Sequence, residues 1–288
     1  MKIALCNGGL GNQTFQYIFS RFVELEGGEP CYLDNAAFCG EQVQHNGYEI
    51  PKVFPNARPR LLSSCFTEDV WQYMVEKGGI VQQLRDAGED YAMVAETRDF
   101  TFDGNVIPVP ANQFSPWIAH AKGNIYYHGY WINRDWLKKG YWDILREELA
   151  FGPLQGEHNK RYEEEIEKTN SVAMHLRRGD FLQFNAHASL EKCRSAVLDV
   201  KERLKTPHFF LFSDDLNWCR QNREGMGLQP EEVTFVEGNR GSDSYLDMQL
   251  MSYCKNVILV VQSSFSYLAT MLNRNEPLFV YNTMSRPI

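Results

Sequence analysis

The second half of the chain alternates between short apolar runs and segments of helical periodicity. The runs have the length and aromatic or β-branched content of buried strands, and the helical segments carry apolar residues three or four positions apart. Strands joined by helices form parallel sheets, because each right-handed crossover returns the chain to the same end of the sheet. The pattern predicts strands at 171–176, 208–212, 233–236, 257–261 and 279–281, and helices at 190–204, 244–254 and 265–272.

The N-terminal segment predicts the opening βαβ unit of another α/β domain. A strand at 2–6 runs into a glycine-rich loop at 7–12, which is followed by a helix at 13–26 and a strand at 30–34. Residues 40–125 contain six prolines and show no clear periodicity. We expect loops and short helices in that region.

A break in the chain separates the two halves. Phe151-Gly152-Pro153 interrupts the pattern, and the charged helix predicted at 157–168 has the composition of a solvated connector. We therefore predict an α/β protein of two Rossmann-like domains, residues 1–155 and 156–288, that face each other across a cleft.

Composition and charge exclude several classes of protein. The hydrophobic fraction of 43% excludes a disordered chain, and the net charge of −8 argues against a nucleic-acid partner. The apolar run after Met1-Lys2 is too short for a signal peptide, and the run at 257–261 is far below the ~20 residues that span a bilayer. We expect a cytoplasmic protein, at most peripheral to the inner face of the membrane. Its seven cysteines form no Cys-x-x-Cys pair, so reduced and mostly buried thiols are predicted.

Two adjacent arginines follow the strand at 171–176 in the segment His175-Leu176-Arg177-Arg178-Gly179-Asp180. Because side chains alternate along an extended chain, His175 and Arg177 share one face and Arg178 points to the other. Ligands of open α/β sheets bind beyond the carboxyl ends of the strands. One arginine at this end can hold a phosphate while the other pairs with Asp180 or backbone carbonyls. The alternative is a structural ion pair at the end of a strand.

Polar residues also follow two other predicted strands. Ser213-Asp214-Asp215 suggests either a divalent metal site or a helix cap, and we favour a cap by Asp214 with Asp215 in the first turn. Ser263, Ser264 and Phe265 stand at a predicted helix start, where hydroxyls and free N–H groups can hold phosphate oxygens. Together with Arg177, this helix start predicts a diphosphate site.

The first half carries two weaker signals. Gly9-Leu10-Gly11 with Asp34 further along resembles a dinucleotide fingerprint, which leaves a dinucleotide-dependent oxidoreductase open. Asn12 and Gln13 in this loop can hydrogen-bond a sugar or acceptor across the cleft. The alternative is a tight turn that needs glycine dihedrals and has no binding role.

The aromatic segment from Tyr126 to Trp131 is the second of these signals. It is either core or a sugar-stacking surface of the kind found in a non-catalytic glycan-binding module.

Four separated motifs, in order, resemble the inverting α-1,2-fucosyltransferases of bacteria and their animal relatives. The motifs are Gly8-Gly9-Leu10-Gly11-Asn12-Gln13-Thr14-Phe15-Gln16-Tyr17, then His175 to Asp180, then Phe212 to Asp215 with Trp218, and finally Asp247 to Asn256 through Ser263 to Ser266. The resemblance extends from residue 1 to about residue 275.

This resemblance implies a GT-B-like fold and transfer of L-fucose from GDP-fucose to the 2-hydroxyl of a galactoside, with inversion, no cofactor and no required metal. It implies that Arg177 binds the β-phosphate, and that the remaining donor contacts come from a set of residues spread over both halves. That set is Gly9, Gly11, Asn12, His175, Ser213, Asp214, Asp247, Ser263, Ser264 and Phe265.

The acceptor side of the predicted site is less defined. Asp34, His128, Tyr130 and Trp131 are the expected acceptor-binding residues, and residues 40–125 are expected to set acceptor specificity. The acceptor hydroxyl must lose its proton, and Asp180, His128 and Asp34 remain open as the base.

Overall fold

The computed structural model describes residues 1–41, 43–97, 106–111, 113–137, 140–183, 187–260, 263–275 and 279–282. Of residues 180, 181, 279 and 282 it describes the backbone alone. The chain divides into two compact units, Met1–Gly152 and Pro153–Ile288. Each unit contains a five-stranded sheet in which all the strand pairs are parallel. None of the described helices is both long enough and apolar enough to cross a membrane.

The first unit has the strand order β2-β1-β5-β3-β4. Its strands are β1 (Lys2–Leu5), β2 (Cys31–Asp34), β3 (Tyr91–Glu96), β4 (Val106–Val109) and β5 (Asn124–His128). Its helices are α1 (Leu10–Gly27), α2 (Ile50–Val53), α3 (Glu68–Lys77), α4 (Ile80–Asp86) and α5 (Tyr141–Glu148). One sheet face packs against α3 and α4 through Ile3, Trp71, Ile80, Tyr91 and Tyr126.

The prediction of loops and short helices alone for residues 40–125 is wrong, because β3 and β4 lie there. The start of the aromatic segment forms strand β5, with Tyr126 and Tyr127 paired to Ile3 and Ala4 of β1. β5 lies between β1 and β3 and has buried residues on both faces. A strand that is covered on both sides does not show the alternation of apolar and polar residues by which strands are found in a sequence.

The second unit has the strand order β10-β9-β6-β7-β8. Its strands are β6 (Asn170–Leu176), β7 (Pro207–Ser213), β8 (Val233–Phe235), β9 (Asn256–Leu259) and β10 (Phe279–Asn282). Its helices are α6 (Glu157–Lys168), α7 (Gly179–Gln183), α8 (Leu190–Arg203), α9 (Leu216–Gln221), α10 (Tyr245–Met251) and α11 (Ser264–Met271). All five predicted strands are confirmed to within two residues at each end, except that residue 261 lies outside the described residues.

The strand order of the second unit places its binding edge. From β6 the chain moves outward through β7 and β8, then returns to the other side of β6 for β9 and β10. Alternate side chains of β6, among them Val172 and Met174, pack with α8 in one core cluster, and His175 points to the opposite face. The ends of β6 and β9 therefore border the point where the strand order reverses, which is where open α/β sheets bind ligands.

All seven cysteines are free thiols, as predicted. Five are buried, Cys39 is partly buried and Cys65 is exposed.

Helix α1 begins at Leu10, three residues earlier than predicted, so Gly11 and Asn12 belong to its first turn. Gln13 is 0% exposed, and its Nε2 donates to the carbonyl oxygens of Gly8 and Gly47, each at 2.9 Å. Its Oε1 accepts from the backbone N–H of Glu49 at 2.9 Å. The side chain therefore fastens two loops together, and the expectation that Gln13 contacts a sugar is wrong.

Replacement of this glutamine tests its structural role. Gln13→Ala leaves two carbonyls and one N–H without partners inside the protein, so we expect the free energy of unfolding to fall by about 2–4 kcal/mol. Gln72→Ala, at an exposed site on α3, should change it by less than about 0.5 kcal/mol. Urea denaturation monitored by circular dichroism measures both values. Equal stability of the two variants would contradict this role.

Candidate functional site

Three neighbouring strands of the second unit end at one edge of the sheet with polar residues. Ser213 ends β7, Arg177 follows β6, and Ser263 precedes α11 after β9. Because β7, β6 and β9 are adjacent and parallel, these residues lie along the same edge. Predicted separately from the sequence, they belong to one region of the fold.

The two arginines that follow β6 lie on opposite faces, as predicted. The Arg177 side chain is 38% exposed, and its Nε lies 3.2 Å from Oδ2 of Asp214. The Arg178 side chain is 11% exposed, stacks over Trp218 at 3.5 Å from the ring centroid, and has its Nε 3.5 Å from Oδ2 of Asp215. Arg178 is therefore part of the packing against α9, and Arg177 reaches solvent at the sheet edge.

The two aspartates have different tasks from those predicted. Asp215, not Asp214, caps α9, since its Oδ1 accepts from the N–H of Trp218 at 3.1 Å. The oxygens of Asp214 accept instead from the backbone N–H groups of Arg178 at 2.8 Å and Gly179 at 3.2 Å. Asp214 therefore fixes the turn that carries Arg177. In the described part of the chain no group of three or more His, Cys, Asp or Glu residues is arranged to hold a metal ion.

Ser213 also serves this turn. Its hydroxyl donates to the carbonyl oxygen of Leu176 at 2.7 Å and accepts from the N–H of Asp215 at 3.0 Å. Ser213 and Asp214, both expected to bind the donor, thus engage their side chains in holding the ends of β6 and β7 together.

The start of α11 presents backbone N–H groups at the same edge. Ser263 is the N-cap residue and is buried, Ser264 and Phe265 are partly exposed, and the helix runs for eight residues. The first N–H groups of a helix have no partner within it and attract anions. This edge therefore combines the Arg177 guanidinium with the positive end of a helix.

His175 lies beside that helix, with its ring centroid 5.6 Å from that of Phe265. It is 8% exposed, and no described residue hydrogen-bonds its Nδ1. Burial, with a contribution from the positive charge of Arg177, lowers the pKa of His175 to about 4, so the ring is neutral at pH 7. A buried ring nitrogen without a partner is costly, and a ligand that hydrogen-bonds it would remove that cost.

Asp247 lies on α10, which packs against α11 and α6. Burial raises the pKa of its carboxyl to about 7, and its Oδ1 accepts from Nδ2 of Asn239 at 2.8 Å. Asn239 is buried and also bonds to Asn159 of α6. Sequence reasoning missed both asparagines, because each is a single amide residue in a polar segment that matches no motif.

The first unit has a cavity of about 350 Å³ at the carboxyl edge of its own sheet. It is lined by Leu5, Asp34, Ala36, Ala37, Gly79, Ile80, Val81, Met93, Tyr126 and His128. Its lining is mostly apolar, with polar groups concentrated at the ends of β2 and β5. It therefore brings together Asp34 and His128, two of the predicted acceptor-side residues.

Asp34 and His128 in this cavity have opposite pKa shifts with one cause. Asp34 is buried, accepts from the Tyr126 hydroxyl at 2.7 Å and from the Ala36 N–H at 3.1 Å, and has a raised pKa because of burial. Burial lowers the pKa of His128 to about 4. Burial thus favours the neutral form of both groups.

Trp131 is buried in the aromatic core of the first unit. It is 1% exposed, and its ring stacks on Phe19 with centroids 4.0 Å apart and planes within 8°. The expected contact of Trp131 with an acceptor is therefore wrong. Its backbone N–H and that of Tyr130 both donate to Oε2 of Glu96 at 2.8 Å, so this buried glutamate fixes the turn after β5. The Tyr130 side chain is partly exposed.

The remaining predicted residues have mixed positions. Gly11 is buried in the first turn of α1, and Gly9 and Asn12 are partly exposed beside it. The side chain of Asp180 lies outside the described residues, so its predicted catalytic part stays a prediction.

Known proteins resemble this chain in sequence and in fold. Over 273 residues it is 26% identical to the alpha-1,2-colitosyltransferase of Escherichia coli, which covers 92% of this chain and 85% of that protein. It is 24% identical to the human galactoside alpha-(1,2)-fucosyltransferase 1 over 117 residues, which is 38% of this chain and 31% of that protein. The crystal structure of the NodZ alpha-1,6-fucosyltransferase soaked with GDP-fucose has the same fold, with a TM-score of 0.54 and 15% identity over 99% of this chain and 96% of that one.

A match to a protein-family model classifies the chain. The model for glycosyl transferase family 11 matches residues 113–286, which is more than half of the chain and includes the arginine turn, Asp247 and the start of α11. Together with the motifs found in the sequence, this match shows that the chain belongs to glycosyl transferase family 11.

Proposed function

We propose that the protein transfers L-fucose from GDP-fucose to the 2-hydroxyl of a terminal galactoside with inversion. The observation that carries this proposal is the solvent-reaching side chain of Arg177, which follows β6 at the reversal point of the second sheet, while α11 begins after the neighbouring strand β9. An arginine and a helix N-terminus on neighbouring strand ends suit a diphosphate. Membership of a glycosyltransferase family makes a nucleotide sugar the natural source of that diphosphate.

The chemistry proposed for this edge is stabilisation of the leaving group. When the bond between sugar and phosphate breaks, negative charge develops on GDP and positive charge on the anomeric carbon. Arg177 and the N–H groups of α11 are held in place beforehand, so they stabilise that negative charge without reorganising. Because these groups supply positive charge themselves, we propose a mechanism that requires no metal ion.

The nucleoside end of the donor is assigned to His175 and Asp247. The resemblance to fucosyltransferases implies both contacts, and two features support them. His175 has a buried nitrogen that no described residue satisfies, and Asp247 is a half-buried carboxyl on the adjacent helix pair. Ser263 and Ser264 are assigned to the phosphates, because they begin α11.

We assign the acceptor to the cavity of the first unit. Of the three base candidates, Asp34 and His128 line this cavity. Burial makes Asp34 a stronger base and His128 a weaker one, so Asp34 is the better proton acceptor once it is ionised. Free thiols at all seven cysteines suit a reducing compartment, and we propose that the enzyme works in the cytoplasm.

A second donor deserves testing because of one relative. The E. coli protein that matches 92% of this chain is named for colitose, which is fucose without its 3-hydroxyl. GDP-colitose is therefore the alternative donor. Both donors share the nucleotide, so Arg177 and Asp247 would act in the same way on either.

A donor comparison tests the proposed activity. The purified protein is incubated with a panel of β-galactosides and GDP-fucose, GDP-colitose, GDP-mannose or UDP-galactose, and products are identified by mass spectrometry and NMR. We expect an α-1,2-linked product with GDP-fucose. A higher kcat/KM with GDP-colitose would replace the sugar in the proposal, and transfer from UDP-galactose alone would reject a GDP-linked donor.

Arginine replacement tests the leaving-group assignment. Arg177→Ala should reduce kcat on the order of 10²–10³-fold, because it removes one preorganised charge opposite the leaving diphosphate. Arg203→Ala, at the exposed end of α8 on the other edge of the sheet, should stay within about twofold. Turnover of Arg177→Ala near that of wild type would remove the residue from the mechanism.

The pKa of Asp247 predicts a pH dependence for GDP binding. Guanine donates two N–H groups, so the carboxylate must be ionised to accept both, and burial raises its pKa to about 7 in the free protein. Binding therefore releases a proton below pH 7, and the affinity should rise by up to about tenfold per pH unit towards pH 7 and then level off.

Calorimetric titration with GDP across this range measures the profile. Asp247→Asn should remove the pH dependence of the affinity that comes from this carboxyl. Because GDP itself titrates equally in both experiments, its contribution cancels when the two profiles are subtracted. Asp86→Asn, at an exposed position in the first unit, should keep the wild-type profile. Identical profiles for wild type and Asp247→Asn would contradict the assignment.

A further inference from the structure

A reciprocal amide pair joins α6 to the loop that follows β8. Nδ2 of Asn159 donates to Oδ1 of Asn239 at 2.9 Å, and Nδ2 of Asn239 donates to Oδ1 of Asn159 at 2.9 Å. Asn159 is 0% exposed and Asn239 is 8% exposed. Two buried amides that satisfy each other in this way have a single favourable orientation.

Beyond the reciprocal bonds, each amide has one further N–H. That of Asn159 donates to the Gln155 carbonyl oxygen at 2.8 Å, and that of Asn239 is directed at Asp247. The amide group of Asn239 has two N–H bonds, of which one reaches Asn159 and the other reaches Oδ1 of Asp247 at 2.8 Å. Among the described residues, no other group donates to this carboxylate. Oδ1 is thus fixed by the protein and keeps a second lone pair, and Oδ2 has no hydrogen-bond donor among the described residues. The carboxylate can therefore accept two further N–H groups.

The exposed imidazole of His158 lies beside this amide pair. The Nε2 atom of His158 lies 3.3 Å from Oδ1 of Asn239. Gly238 has a φ of +105°, and a Cβ there would come within 2.8 Å of the same Nε2. Gly156 has a φ of +84°, and a Cβ there would lie 2.9 Å from Cε1 of His158. Both glycines have a positive φ, and a side chain at either position would displace the imidazole of His158.

We propose that the Asn159–Asn239 pair is a positioning device that aims Asp247 at guanine and sets selectivity for guanine over hypoxanthine. The inference rests on the proposed function, in which Asp247 binds the nucleoside. Guanine presents a ring N–H and an exocyclic amino group side by side, and hypoxanthine presents the ring N–H alone. A carboxylate held at one angle can accept both N–H groups of guanine, whereas a freely rotating carboxylate loses much of the gain from the second bond.

The test compares GDP with IDP, which differ in that exocyclic amino group. By calorimetry, wild-type protein should bind GDP on the order of tenfold more tightly than IDP, since a hydrogen bond to a charged group has this effect. In Asn239→Ala the affinity for GDP should fall about tenfold, and the preference over IDP should shrink to about threefold or less. At saturating donor, kcat should remain within about threefold of wild type, so the change appears in KM.

Asn256→Ala is the matched control for a buried asparagine. Asn256 is 0% exposed, and its Nδ2 donates to Asn170 Oδ1 at 3.0 Å and to the Ser171 carbonyl oxygen at 3.1 Å, at the amino end of the sheet. This variant should lower thermal stability and keep the wild-type preference for GDP. If Asn239→Ala does not fold, Asn159→Ala removes the partner and leaves the donor, and should also weaken the preference.

The outcomes separate two failures. A folded Asn239→Ala or Asn159→Ala protein with the full wild-type preference for GDP would overturn the positioning inference alone. A wild-type protein that binds neither GDP nor IDP would overturn the proposed function instead.

Discussion

The candidate donor site depends on the hydrogen bonds and the ion pair that the carboxylate of Asp214 makes. This carboxylate accepts from two successive backbone N–H groups and contacts the guanidinium of Arg177, so it fixes both the turn after β6 and the side chain that the turn presents. A long, flexible arginine at a strand end would otherwise lose much conformational entropy on binding an anion. With the turn fixed in advance, that cost is met during folding rather than during binding.

The second unit divides its polar residues between support and binding. Arg178, Ser213 and Asp215 are engaged with the protein itself, through an indole ring, a strand-end carbonyl and a helix start. The Arg177 side chain reaches solvent, Nδ1 of His175 has no hydrogen-bond partner among the described residues, and the Asp247 side chain is half-buried. Residues that are adjacent in the sequence therefore have different roles. The face on which each side chain lies decides whether it supports the fold or is available to a ligand.

The sequence predicted the second unit and the opening βαβ unit of the first unit well, and the rest of the first unit poorly, for physical reasons. Short apolar runs such as 208–212 are recognised as strands because a continuous apolar segment of this length is typical of a buried strand. Strand β5 carries two buried tyrosines whose hydroxyls donate to Asp34 and to the Ile118 carbonyl, so its sequence lacks the apolar pattern of a buried strand. The choice between Asp214 and Asp215 as a cap depends on a helix boundary that shifts by one residue, which sequence patterns do not resolve.

Long-range pairs are the other limit of sequence reasoning. Asn159 and Asn239 are eighty positions apart, and nothing in either segment indicates the other. Arg177 was identified because strand alternation is a local property.

The side chain of Gln13 has a consequence for how the N-terminal signature is understood. All of its hydrogen bonds hold together the loops at Gly8, Gly47 and Glu49. Gln16 likewise bonds to Asn7 and Gly129. These glutamines stabilise the fold of the first unit, so their presence in a sequence indicates that fold and does not indicate catalytic activity. A descendant of such an enzyme that had lost all turnover would still keep both, so long as it had to remain folded.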